Sequence, residues 1–115
     1  MRRVIYYQTI RGRAPARVFI SDLTLEQREA VLNDIRVVRD LQERVPKTIF
    51  KKLPDTGLWE IRTKAGGVQI RLLSFFDGGD LIVVASGFVK KSRKTPKAEI
   101  ETAASRMRSY MKRKP

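Results

Sequence analysis

Two glycine-rich turns constrain this chain more than any other feature. Ala65-Gly66-Gly67 and Asp77-Gly78-Gly79-Asp80 separate three runs rich in Val, Ile, Leu and Phe. Glycine supplies the positive φ that tight hairpins require, and runs of this length suit strands better than helices. Residues 57–91 are therefore predicted to form a three-stranded antiparallel meander. A period-2 reading puts Trp59, Ile61, Val68, Ile70, Leu72, Leu81, Val83 and Ala85 on a core face. The opposite face receives Glu60, Arg62, Gln69, Arg71, Ser86 and Lys90, mixed with Leu58, Leu73, Phe75, Ile82, Val84 and Phe88. That mixed face is where function is expected.

The flanking segments complete an α+β domain. Arg3 to Gln8 reads as a first strand, and Ala16 to Leu23 as a short helix. Thr24 is a candidate N-cap with Gln27 at the capping-box position, and apolar residues at helical spacing then predict a helix from about Leu25 to Arg44. Pro46 stops it. Lys47 to Thr56 reads as a connector closed by the Pro54-Asp55-Thr56-Gly57 turn. Thr95 as N-cap and Pro96 at the first helical position announce a last helix, buried through Ile100, Ala103, Ala104, Met107 and Met111. Residues 112–115 read as a frayed basic tail. The 115 residues suffice for one domain and a single modest core. An antiparallel sheet of about four strands with helices packed on one face is the expectation.

Charge narrows the partners. The net charge is +13, distributed as +5 over residues 1–20, −2 over 21–45, +2 over 46–80 and +8 over 81–115. Nucleic acid is the first partner such a balance implies, and an acidic protein the second. The chain has no cysteine and no histidine, which removes disulfides, thiolate metal sites and the usual general base. No metal or other cofactor is expected. No apolar run has transmembrane length and the start lacks a signal-peptide core, so the expectation is a soluble cytoplasmic protein without a membrane partner.

Within this frame, Lys90, Lys91, Arg93, Lys94 and Lys97 crowd between the last strand and last helix, a phosphate-binding candidate or a solvated charged loop. Arg71 interrupts an apolar strand, where a charge needs a partner or an anionic ligand. An Arg71–Glu60 ion pair and a phosphate clamp are both open readings. Trp59 reads as core. Phe88 and Phe75 are either base-stacking rings or a packed minicluster. The aspartates around Gly78-Gly79 read as turn chemistry.

The run GLWEIR, then QIRLL, then ASGFVKKSRKTPKAEIETA resembles the HigB-like, phage-derived branch of the RelE/ParE toxin superfamily. The resemblance covers about residues 57–110. It implies a RelE-like microbial RNase fold and metal-independent cleavage of messenger RNA, usually on the ribosome. The implied partner is an antitoxin, a HigA-like helix-turn-helix protein. By motif position Glu60, Arg62, Arg71, Phe88, Lys90 and Lys91 carry over. Ser86 stands where many relatives have histidine, and Gln69-Ile70 replaces the usual aromatic.

A metal-free route through the RNA 2′-OH needs a base, a phosphate clamp and an acid. Arg71 and Arg62 suit the clamp, because guanidinium binds phosphate bidentately. Lys90 is a base or a charge stabiliser, Glu60 the rival base, and Tyr110 a remote candidate acid. A non-catalytic RNA- or ribosome-binding module, an inactive toxin and a ParE-like gyrase-directed toxin are the alternatives.

Overall fold

The computed structural model describes residues 2–115. The elements are β1 (Arg3–Tyr6), α1 (Pro15–Ser21), α2 (Leu25–Leu41), β2 (Phe50–Lys52), β3 (Trp59–Ala65), β4 (Val68–Asp77), β5 (Leu81–Lys90) and α3 (Lys97–Arg113), with a 3₁₀ turn at Gln42–Arg44. The strands form one five-stranded sheet in the order β1-β5-β4-β3-β2. The meander is as predicted: Ala65 pairs with Val68 across Gly66 and Gly67, whose φ values of 57° and 75° are those of a two-residue hairpin loop.

Three differences from the expectation matter for function. First, the sheet has five strands and is mixed, because β1 pairs parallel to β5. Second, Phe50–Lys52 is a strand rather than connector, antiparallel to β3 with Lys51 opposite Glu60. Third, helices cover both faces of the sheet. Val31, Ile35 and Val38 of α2 join Ala16 and Ile20 of α1 against Phe50, Ile61, Ile70, Leu72, Ile82 and Val84. On the other face, Ala103 of α3, with Ile100 and Met107, packs on Leu58, Leu73, Phe75, Val83, Ala85 and Phe88.

A β-bulge explains the shift in face assignment. Leu73 pairs with Ser86 but Ser74 pairs with Val84, so Ala85 is the extra residue in β5. A bulge breaks the period-2 phase. Ile82 and Val84 therefore belong to the α1–α2 core, and Val83 and Ala85 to the α3 core, the reverse of the uninterrupted alternation. Beyond the bulge the predicted phase holds. Gly87 turns towards α1, where an added Cβ would lie 2.3 Å from Phe19 Cδ2 and 2.9 Å from Leu72 Cδ2. Only a residue without a side chain lets α1 sit this close to β5.

The helix α2 begins as predicted, with Thr24 and Gln27 forming a reciprocal capping box. Helix α3 runs through Arg113, beyond the expected start of a frayed tail. Its end is tied down: Lys114 Nζ lies 2.5 Å from Asp77 Oδ1, and Arg113 Nη2 donates to the Gln8 carbonyl at 2.6 Å. Among the described residues, no helix is long and apolar enough to cross a membrane.

Candidate nucleic-acid interface

Helix α3 covers only part of its face of the sheet. The uncovered part carries charge. In the β3–β4 register Arg62 stands directly opposite Arg71, an arrangement that costs free energy between like charges. Glu60, two residues back on the same face, offsets it. Its Oε1 lies 3.6 Å from Arg62 Nε and 3.9 Å from Arg71 Nε. Arg71 also donates to the Ile70 carbonyl at 3.2 Å and to Gln69 Oε1 at 2.8 Å. Lys90 enters from β5 opposite Gln69, and Lys51 from β2 opposite Glu60.

One carboxylate therefore faces four cations, and the cluster has a surplus of positive charge. Burial sharpens this. Glu60 is 2% exposed and Arg71 5% exposed, yet the Nε groups of Arg62 and Arg71 are buried without a hydrogen-bond partner. A buried, unpaired guanidinium N–H is costly, and an anionic oxygen placed there would satisfy it. Burial, then the neighbouring Arg62, push the Arg71 pKa down, with Glu60 opposing. Lys90 is also held below the usual lysine value, by burial first and then by Arg71, with Glu60 opposing and Arg62 and Lys51 adding to the depression. Beside the cluster, Thr48, Arg62, Thr63, Lys64, Gln69 and Arg71 line a cleft of about 220 Å³.

Glu60, Arg62, Arg71 and Lys90 are thus brought together as the sequence predicted. Arg71 faces Glu60, as the ion-pair reading expects, and its Nε has no hydrogen-bond partner. Lys91, Arg93, Lys94 and Lys97 are exposed on the segment leading into α3, and among the described residues none of them is in an ion pair.

Other expectations are corrected. Phe88 is 7% exposed and lies in the α3 core, so it offers no free ring face for stacking a base. Phe75 is buried still more deeply in the same cluster, and the minicluster reading holds for both. Tyr110 donates to Asp77 Oδ2 at 2.6 Å, and burial together with Asp77 pushes its pKa up to about 12. It fastens the end of α3 to the β4–β5 turn, and Asp77 has a role beyond the turn itself. Ser86 is buried with an unpartnered hydroxyl at the bulge. Trp59 is core as predicted, stacked on Phe50 at 4.8 Å.

Two contributors, Thr95 and Lys51, lie outside the predicted site, and Gln69, predicted on its face, gains a specific role. Thr95 does not cap α3; Pro96 occupies that position, and the Thr95 hydroxyl donates to Glu60 Oε2 instead. That bond ties the cationic segment to the floor of the site. Gln69 orients Arg71, and Lys51 adds a cation. Lys51 was recoverable, because alternation before the Pro54–Gly57 turn mirrors the alternation after it. Thr95 carried no such signal.

Comparison with curated proteins gives no match. A family model described as phage derived protein Gp49-like (DUF891) matches residues 18–108, which takes in four of the five strands and the charged cluster. The chain belongs to this Gp49-like family of phage-derived proteins.

Proposed function

We propose that this chain is the toxin of a type II toxin–antitoxin pair, a cytoplasmic endoribonuclease that cleaves messenger RNA on the ribosome and halts translation. The observation that carries this reading is the Glu60–Arg62–Arg71–Lys90 cluster, with two buried guanidinium N–H groups lacking a partner. Its surplus of positive charge suits a phosphodiester. The net charge of +13, the phage-derived family and the likeness of the β3, β4 and β5–α3 motifs to HigB-like toxins support it.

In the proposed reaction the 2′-oxygen attacks the adjacent phosphorus and the 5′-oxygen leaves, taking a proton from water, to give a 2′,3′-cyclic phosphate and a new 5′-hydroxyl. Arg71 and Arg62 hold the non-bridging oxygens and stabilise charge that grows in the transition state. Lys90 takes the 2′-OH proton, since its depressed pKa raises the fraction of free amine near neutral pH. Thr95 and Gln69 position Glu60 and Arg71. Lys91, Arg93, Lys94 and Lys97 track the flanking phosphates.

Induced expression tests the reading. Growth arrest with translation stopping before replication, and mRNA ending in cyclic phosphates, is the expected result. Co-expression of a small protein from a neighbouring frame should restore growth and co-purify with the chain. Replication stalling first would indicate a gyrase-directed toxin, and intact mRNA bound to the protein a non-catalytic module. A further expectation concerns salt. Binding to RNA or ribosomes falls steeply as salt rises, and replacing Lys90, Lys91, Arg93 and Lys94 together by alanine flattens the slope by roughly one unit per lost phosphate contact. An unchanged slope in a filter-binding titration would place the RNA path elsewhere.

A further inference from the structure

A second groove lies away from this cluster. It has a volume of about 640 Å³ and runs along β1, an outermost strand of the sheet. Parallel pairing with β5 uses alternate residues of β1: Arg3 N–H donates to the Asp80 carbonyl and Tyr7 N–H to that of Val84, each at 2.9 Å. In such a ladder Val4 and Tyr6 turn both their N–H and C=O away from β5. β1 has no sheet neighbour on that side, and among the described residues no loop or cap hydrogen bond takes these groups up. They point into the groove, whose floor is Val4, Ile5 and Tyr6, with Ile5 37% exposed.

Basic side chains flank the floor. Arg17 of α1 stands on one side with its guanidinium over the Tyr6 ring at 5.6 Å, and Arg113 and Lys114 stand on the other. No Asp or Glu side chain lines the groove, although Lys114 is already paired with Asp77 beside it, which leaves Arg17 and Arg113 as its cations without an ion-pair partner among the described residues. An open strand edge, an apolar floor and cationic walls together specify an occupant. We propose that β1 receives an extended acidic segment of a partner protein, added as a sixth strand beside Val4 and Tyr6. Its backbone pairs with those two residues, an apolar side chain packs on Ile5, and carboxylates meet Arg17 and the basic end of α3. A second copy of this chain fits worse, because a +13 protein repels itself. RNA would meet the cations but has no backbone to pair with both the exposed N–H and C=O groups. The inference deepens the proposed function: it locates the neutralising partner, and rests on that reading only for the partner's existence.

A short synthetic peptide of alternating valine and glutamate is the probe. In nuclear magnetic resonance of the labelled full chain, it should shift the Val4, Ile5 and Tyr6 amides and slow exchange at Val4 and Tyr6 by about tenfold or more. A valine–lysine peptide should not. Val4→Pro removes an outward N–H and leaves the β5 ladder intact, a position where edge strands accept proline. It should weaken the peptide about tenfold or more while growth arrest and RNA cleavage persist, so failure here is separable from failure of the toxin reading. Arg17→Glu, which leaves the backbone alone, should weaken it severalfold even if Val4→Pro fails to fold. The proposal is overturned if the acidic peptide leaves these amides unmoved. It is equally overturned if single-stranded RNA moves them in its place, or if they shift only with protein concentration as the chain dimerises.

Discussion

Replacing Arg71 by alanine should lower RNA cleavage by roughly two to three orders of magnitude, the scale of removing one well-placed stabiliser of transition-state charge. Affinity for RNA should change far less, because Lys91, Arg93, Lys94 and Lys97 are exposed and remain. The fold should survive, for a reason visible in the geometry. Glu60 keeps Arg62 at 3.6 Å and the Thr95 hydroxyl when Arg71 is removed, so no buried carboxylate is orphaned. Single-turnover cleavage and equilibrium binding, measured on the same folded variant, separate the two effects. Cleavage equal to the parent would make Arg71 a structural residue, held by Gln69 and Glu60 and nothing else. Equal losses in binding and cleavage would mean that Arg71 holds the ground-state phosphate as tightly as the transition state.

The residues of this cluster were legible in the sequence because strand phase survives where hairpins are tight. Gly66-Gly67 fixes the β3–β4 register, and that register puts Glu60, Arg62 and Arg71 on one face. The same logic failed in the first half of β5. A bulge adds one residue without any turn signal, so Val83 and Ala85 changed faces while Phe88 and Lys90 did not. The second layer of helix was illegible for a related reason. Strand phase puts Leu58, Leu73, Phe75 and Phe88 on the mixed functional face, but their apolar character marks the footprint of α3. The parallel pairing of β1 is a long-range contact with no local imprint. Thr95 shows the limit of capping rules: its hydroxyl had two possible uses, and a buried carboxylate prevailed over the helix end. A charge buried in a sheet recruits donors from elsewhere in the chain, and sequence spacing does not reveal which.

That competition makes Glu60 the most sensitive polar position for stability. Its carboxylate is 2% exposed and holds together two guanidiniums and the segment leading into α3. Glu60→Ala should destabilise the fold by about 3–5 kcal/mol, the usual cost of removing one member of a buried charged group. The loss arises less from the missing attraction than from Arg71 left buried opposite Arg62, like charges without a counter-ion. Two companion variants test that account. Glu60→Gln keeps an acceptor for Thr95 but not the charge, and should fall between parent and alanine. Glu60→Ala combined with Arg71→Leu removes the stranded cation and should recover most of the stability, a coupling readable from urea midpoints at constant slope. If the double variant is as unstable as the sum of its parts, Glu60 acts through Thr95 and the loop instead. The glutamine variant also decides the chemistry. Cleavage that persists in Glu60→Gln, rising with pH as the amine of Lys90 is freed, identifies Lys90 as the base and Glu60 as its electrostatic anchor. Cleavage lost in Glu60→Gln while Lys90→Met retains it would reverse those roles.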